Sequence, residues 1–199
     1  MKPSLIRQRA VVLFAASMVA SVAFAQQPLT IKMLAEKEVN ELPQGKLFWR
    51  IERFGSLGQA EAAAGRWSLA AESAGKAWLF SLGPVGSESA SGEKVAEVGP
   101  IPRITAKSYL LRINDASGPP GSVTKVHSHP GSEAFFVLAG EQSIRGADGV
   151  TRVEAGQAEP GHAAGMAMQV SSTGSTDLHA LVMFVVDAGK PFSSPASLP

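Results

Sequence analysis

Two histidines and a glutamate stand close together in the middle of this 199-residue chain, at spacings that suit a metal site. His127 and His129 are two residues apart, and residues two apart in a strand point to the same face. Residues 130–132 (Pro-Gly-Ser) are typical of a turn, after which Glu133 can open the next strand beside the histidines. Two imidazoles and one carboxylate on one wall leave other coordination positions open. The pattern therefore predicts a divalent-metal site made of His127, His129 and Glu133.

The run from Gly121 to Gly140 resembles the first motif of the cupin superfamily, which reads Gly, five residues, His-x-His, three or four residues, Glu, six residues, Gly. Every element of that motif is present. The resemblance implies an all-β fold, a cupin jelly-roll β-barrel, with its motif core over residues 109–186. It also implies a bound divalent metal and a small-molecule ligand or substrate. Iron or manganese is favoured for a site with two histidines and one carboxylate, and zinc, nickel or copper is also compatible.

The second cupin motif is incomplete in this sequence, so the fourth ligand stays open. Met168 falls where the family has its metal-binding histidine. Met168 could act as a thioether ligand, which would favour a softer metal such as copper. His162 could instead approach from a loop, or the site could use three side chains with water at the remaining positions. A methionine between apolar neighbours is also typical of core filling.

Residues that alternate on strands next to the ligands are expected to line the barrel cavity. The candidates are Phe135, Val137, Met166, Met168 and His179. Such a pocket is mostly apolar and suits a small aromatic or aliphatic molecule. His179 lies in the apolar strand predicted over residues 178–186, where a buried, hydrogen-bonded core histidine is the more usual role.

Residues 45–98 are expected to add strands and one short helix to the barrel. A strand is predicted over residues 46–54, a helix over 56–64, and a hairpin from strands 67–73 and 76–82. The strand over residues 46–54 is rich in aromatic side chains. It could offer an edge for a homodimer, or its aromatics could complete the core.

The first 25 residues have the features of a secretory signal peptide. They begin with basic residues, continue with an apolar run over residues 10–24 and end in a small-x-small cleavage pattern. Cleavage before Gln26 would give a periplasmic or secreted protein without a stable membrane anchor. We then expect an N-terminal segment over residues 26–44, a single barrel domain over 45–190, and a loose Pro/Ser-rich tail over 191–199.

Composition excludes several functional classes. The formal net charge is +1, and removing a signal with three positive and no acidic side chains gives −2. A nearly neutral protein has no electrostatic basis for binding nucleic acid. Cysteine is absent, which excludes thiolate ligands, a cysteine nucleophile and disulfides.

Three functions are consistent with the sequence. The first is an exported metal-binding cupin with small-molecule dioxygenase-like activity. The second is a non-catalytic periplasmic protein that binds or senses a small ligand or a metal. The third is a structural barrel in which His127, His129 and Glu133 form a hydrogen-bonded cluster without metal. The sequence assigns no catalytic residue beyond the metal ligands.

Overall fold

The computed structural model describes residues 27–87 and 91–199, and there the chain forms layers of antiparallel sheet with one short helix. The elements are β1 (Thr30–Val39), β2 (Leu47–Phe54), α1 (Leu57–Ala63), β3 (Ser68–Ser73), β4 (Lys76–Gly83), β5 (Glu93–Ile101), β6 (Tyr109–Gly118), β7 (His127–Ser128), β8 (Gly131–Ala139), β9 (Glu141–Gly146), β10 (Gly149–Glu154), β11 (Ala158–His162), β12 (Gln169–Ser172), β13 (Leu178–Asp187) and β14 (Ser194–Pro195). The predicted signal over residues 1–25 lies outside the described residues.

A five-stranded antiparallel sheet, in the order β1-β6-β13-β8-β11, forms the middle layer. Its central strand β13 is apolar at consecutive positions because both faces of the strand are covered. Leu181 and Met183 enter one core cluster, whereas Val182 and Phe184 enter a second cluster on the opposite face. The prediction that this segment is a fully buried strand is confirmed.

The outer face of the middle sheet is covered by a second, four-stranded sheet in the order β3-β4-β2-β5. Trp49, Ile51 and Phe80 of this sheet are completely buried and belong to one core cluster with Ile113 and Met183 of the middle sheet. The predicted extension of extra strands and one helix is confirmed, and it forms a separate layer on the barrel wall.

The inner face of the middle sheet packs against a small sheet in the order β10-β9-β12. Phe135, Val182 and Phe184 of the middle sheet join Ile144 and Val170 of the small sheet in the second core cluster. These two facing antiparallel sheets enclose the barrel interior, and the predicted all-β jelly-roll barrel is confirmed.

The helix and the hairpin turn predicted upstream of the motif are also present. The Ser56 side chain accepts a hydrogen bond from the Gln59 amide at 3.3 Å and caps α1. Ala74 and Gly75, at φ 52° and 65°, join β3 to β4 in a two-residue turn. Within residues 27–87 and 91–199, the structure contains no helix with the length and hydropathy needed to cross a bilayer.

Three expectations, about the two terminal segments and about a dimer edge, need correction. Residues 30–39, expected as part of a segment outside the barrel, form edge strand β1, where charged side chains are tolerated because one side of the strand faces solvent. Residues 191–199 are not a loose tail, because β14 pairs with β7. The strand predicted over residues 46–54 cannot offer a dimer edge, because β2 is paired on both sides, with β4 and β5.

The close approach of β8 to β13 generates a stability prediction. A Cβ atom added at Gly131 would lie 2.1 Å from the Val185 carbonyl oxygen, which is backbone and cannot swing away. We expect Gly131→Ala to lower the free energy of unfolding by about 1–3 kcal/mol, as overpacking does. The matched control is Gly58→Ala in α1, where a Cβ meets nothing within 4 Å. That variant should be neutral or gain up to about 1 kcal/mol. Urea denaturation midpoints measure both, and equal midpoints would contradict the packing described here.

Candidate metal centre

The three residues of the predicted metal site come together at the start of β8. The ligand atoms of His127, His129 and Glu133 all lie within 4.8 Å of one another. His127 opens the two-residue strand β7, His129 follows it, and a tight turn leads to Glu133 in β8. The two imidazole rings meet edge to face, with centroids 5.0 Å apart and an interplanar angle of 86°. The spacing of the motif therefore produces the cluster that it predicts.

Backbone carbonyls fix the orientation of both imidazoles. His127 Nδ1 lies 2.8 Å from the Lys125 carbonyl oxygen, and His129 Nδ1 lies 2.6 Å from the Phe192 carbonyl oxygen. Because a carbonyl oxygen only accepts, each Nδ1 carries the proton and donates it. Each Nε2 is then left with a lone pair, the state in which histidine binds a metal, and outer hydrogen bonds of this kind usually hold metal-binding imidazoles.

Glu133 is buried and lacks the partners that a carboxylate needs. Its Oε2 has no hydrogen-bond partner, and the nearest ring nitrogen, His129 Nε2, is 3.7 Å away. Burial raises the pKa of Glu133 to about 8, because the charged form loses its water. Burial likewise lowers the pKa of His129 to about 4, and the nearby charges of His127 and Arg112 act in the same direction, against the Phe192 carbonyl.

Three acceptor atoms thus converge on one point: two imidazole Nε2 lone pairs and a carboxylate oxygen. Acceptors repel one another unless a proton or a cation lies between them. Two imidazoles and a carboxylate form a donor set that iron, manganese and other divalent metals accept. The orphaned carboxylate oxygen and the orientation of the rings fit such an ion.

A cavity of about 310 Å³ opens beside the cluster. Its wall is formed by Ile31, Asn114, Ala116, Thr124, Lys125, His127, His129, Glu133, Phe135, Val170, Val182, Phe192 and Ser193. Apart from the three clustered residues, the wall is mostly apolar, as the sequence predicts. Asn114 is an exception, because its side-chain oxygen is buried without a hydrogen-bond partner.

Of the residues expected to line the pocket, Phe135 does so and four lie elsewhere. Val137 and Met168 are buried in the inner core cluster rather than at the cavity wall. Met166 lines a separate cavity of about 160 Å³ together with residues of the β9–β10 hairpin. The alternation of side chains along β8 correctly predicts the face on which Val137 lies, but it does not predict that Val137 is buried away from the cavity wall.

His179, the fifth candidate, lies on the other side of the middle sheet. Its Nε2 donates to Asp115 Oδ2 at 2.6 Å, and Ser73 of the outer sheet also donates to that carboxylate oxygen. His179 therefore joins the middle sheet to the outer sheet, and the prediction that it lines the cavity is wrong. The alternative, a hydrogen-bonded core histidine, holds for the hydrogen bond but not for burial, because the side chain is 28% exposed.

The two candidates for a fourth ligand are positioned differently. Met168 lies directly opposite His127, and the two residues exchange backbone hydrogen bonds of 3.0 and 2.8 Å. Directly opposed residues project from the same side of an antiparallel pair. Met168 is therefore beside the ligand strand, with 1% of its surface exposed, packed within the inner core cluster.

His162 pairs with Glu133 across β8 and β11 but does not join the cluster. Its ring packs edge-on to Phe135 at 6.2 Å, and it lines the separate cavity with Met166. Its Nδ1 is buried without a partner, and burial lowers its pKa. Among the histidines and carboxylates of the described residues, the cluster therefore contains His127, His129 and Glu133, and His162 lies outside it.

Asn114 and Phe192 are two of the cavity residues that sequence analysis missed. Asn114 follows the apolar part of β6 and resembles the start of a turn, although the strand continues to Gly118. Phe192 is surrounded by proline and serine and carries no periodic signal. For Asn114, a signal was available in the alternation of β6, since Asn114 lies two residues from Ala116 on the same face.

Comparison with solved structures finds partial overlaps with proteins of this type. No protein-family model matches the sequence, and no curated protein matches it. A cupin superfamily protein from Desulfitobacterium hafniense is 17% identical, with a TM-score of 0.35 over 39% of this chain and 68% of the other. A cupin-like protein from Thermotoga maritima is 15% identical, with a TM-score of 0.40 over 44% and 65%. A DMSP lyase from Ruegeria pomeroyi is 24% identical, with a TM-score of 0.38 over 43% of each chain.

The overlaps thus cover less than half of this chain and 65% or less of the second and third proteins. They carry no argument about activity. The fold assignment depends on the complete first motif, the two facing antiparallel sheets and the cluster on their inner wall. On these grounds, the chain has a jelly-roll barrel fold of the cupin type, with an added outer sheet.

Proposed function

We propose that the protein is an exported metalloprotein that binds one divalent metal through His127, His129 and Glu133 and acts on a small molecule, with dioxygenase-like chemistry. The observation that carries the proposal is the buried, unpartnered Glu133 Oε2 beside two imidazoles whose Nδ1 protons are both occupied elsewhere. Iron or manganese is favoured by the donor set.

A bound divalent metal would supply Lewis-acid or redox chemistry at positions that the protein leaves open. The chain's own residues hold and shield that point. Phe135, Val182 and Phe192 present apolar surface to the cavity. The Asn114 carboxamide and the Lys125 side chain, both in the wall, can orient a small polar or anionic ligand by hydrogen bonds and charge.

A non-catalytic binding protein is the second candidate, and one observation favours it. Besides the three clustered residues, Lys125 is the one titratable side chain in the described cavity wall. The wall therefore offers little for general acid–base catalysis. Oxygen-electrode and mass-spectrometric screens of the Fe(II)-loaded protein with small aromatic and aliphatic acids distinguish the candidates. A chemically changed product supports the enzyme, and binding without conversion supports the binding protein.

The metal site predicts which single substitutions weaken metal binding and which do not. His129→Ala and Glu133→Ala should each weaken Co²⁺ binding more than the 10–100-fold typical of losing an outer hydrogen-bond partner, because each removes a ligand itself. His179→Ala is the matched control, since His179 lies on the opposite face and should leave affinity unchanged. Titration calorimetry and elemental analysis on tag-free protein measure both effects. Equal binding in all four proteins would show that the metal is held elsewhere.

The pKa of Glu133 predicts how the stability of the metal-free protein depends on pH. The folded-state pKa of about 8 exceeds the ordinary value of 4.5, so folded protein holds a proton that unfolded protein releases. Stability must then fall as pH rises between these values. The lowered pKa values of His129 and His162 act oppositely, but only below their ordinary value of 6.5.

Between pH 6.5 and 8, Glu133 therefore dominates the contribution of these three groups. The unfolding free energy of chelated protein should fall by on the order of 1 kcal/mol per pH unit. Glu133→Gln, which cannot ionise, should abolish that decline. Urea denaturation at several pH values in chelator gives the result. A wild-type slope equal to that of the glutamine variant would contradict an unpaired carboxylate.

Export depends on the sequence of residues 1–25 and is tested separately. Expressed in a Gram-negative host, the full chain should accumulate in the periplasm with Gln26 as its first residue. Ala25→Arg should block cleavage, because signal peptidase requires a small residue there. Intact-mass measurement of fractionated cells checks both. Uncleaved wild-type protein in the cytoplasm would exclude the export proposal.

A further inference from the structure

The segment over residues 191–196, named here the strap, crosses the metal centre and contacts it through Phe192. The Phe192 ring lies 4.7 Å from the His129 ring and 4.9 Å from the Phe184 ring, between centroids. The Arg112 guanidinium lies over its face at 3.9 Å from the centroid. Phe192 is thus an aromatic anchor held on three sides, and it forms part of the cavity wall.

Backbone pairing fixes the strap along the ligand strand. Ser194 and Pro195 pair with Ser128 and His127, and the Ala196 amide donates to the Val126 carbonyl at 3.2 Å. Pairing therefore begins two residues after Phe192. The anchor and the pairing together leave the Phe192 carbonyl little freedom to move.

The two imidazoles depend on this segment to different extents. His127 donates its Nδ1 proton to a carbonyl only two residues away, at Lys125. His129 donates to the Phe192 carbonyl, 63 residues away in sequence. His127 therefore keeps its orientation through local chain geometry. His129 keeps its orientation only while the strap is docked.

We propose that Phe192 is a positioning residue of the metal centre. Its carbonyl holds His129 in the Nδ1-protonated tautomer with Nε2 directed at the cluster, and its ring packs against Phe184 and forms part of the cavity wall. The strap is therefore an integral part of the site rather than a tail. This inference rests on the proposed metal site, and it assigns a role to a segment that the cupin motif does not include.

Truncation tests the proposal, with Co²⁺ as the probe. A chain ending at Lys190 lacks the strap and should bind Co²⁺ 10–100-fold more weakly, the usual cost of losing an outer hydrogen-bond partner of a ligand. A chain ending at Ala196 keeps every strap contact described above and should bind within twofold of the full chain. Phe192→Leu keeps the carbonyl and an apolar anchor, so its affinity should be much closer to that of the full chain than to that of the truncated one.

A second readout needs no metal and separates positioning from general stability. In the metal-free full chain, nitrogen-15 NMR should show both histidines as Nδ1-protonated tautomers. In the chain ending at Lys190, His129 should lose that preference while His127 keeps it. A merely structural role would lower the thermal midpoint without distinguishing the two rings. Should that chain fail to fold, Ala196→Pro removes a single strap hydrogen bond and should shift His129 in the same direction.

The outcomes are separable. Folded, truncated protein with unchanged Co²⁺ affinity and an unchanged His129 tautomer would overturn the role of Phe192. A full chain that binds no Co²⁺ would overturn the proposed metal site instead, and the NMR comparison would still decide whether the strap orients His129.

Discussion

The site depends on one missing interaction: the buried carboxylate oxygen Oε2 of Glu133 has no hydrogen-bond partner. Taking a carboxylate out of water costs several kcal/mol unless a partner compensates. Here neither imidazole can be that partner as a donor, because both Nδ1 protons go to backbone carbonyls and both Nε2 atoms carry lone pairs. Without an ion the carboxyl must keep its proton, which is why its pKa rises to about 8. A divalent cation resolves the same conflict and leaves the carboxylate charged.

Such a conflict persists only on a rigid support. Glu133 lies in β8, which is paired with β13 on one side and β11 on the other. The outer sheet buries the far face of β13 with Trp49 and Phe80. Because both faces of the middle sheet are packed, β8 cannot bend to bring Glu133 to water. Stability in the outer layer is thereby coupled to the electrostatics of the inner one.

Sequence reasoning succeeded where the signal was local. The spacing of His127, His129 and Glu133 depends on one turn between two neighbouring strands, so the motif was sufficient to predict the cluster. It failed where the partner is distant in sequence. The docking of Phe192 on His129 depends on contacts between residues 63 apart, and Pro- and Ser-rich composition gives no hint of them.

The orientation of side chains along β13 explains why the prediction for His179 was wrong. His179 and Ala180 are adjacent in β13, and their side chains point to opposite faces of the middle sheet, so one residue separates a cavity position from an interlayer one. The bulge at this point of the β13–β8 pairing places its extra residue, Leu138, in β8, so β13 itself alternates regularly along its pairing with β6. Edge strand β1 was missed for a different reason, since its lysines and glutamates are typical of solvent-exposed edges rather than of buried strands.

Packing explains why a methionine, Met168, occupies the position opposite His127. Met168 is opposite His127, at the position where the motif resemblance implies a histidine, yet its side chain belongs to the inner core cluster with Phe135 and Val170. A methionine is flexible and apolar, so burial among hydrophobic neighbours satisfies it fully, whereas a histidine there would need a polar partner. Core packing therefore accounts for a methionine at this position. If His127, His129 and Glu133 are the protein donors, as proposed, solvent or a small molecule from the adjoining cavity would complete the coordination.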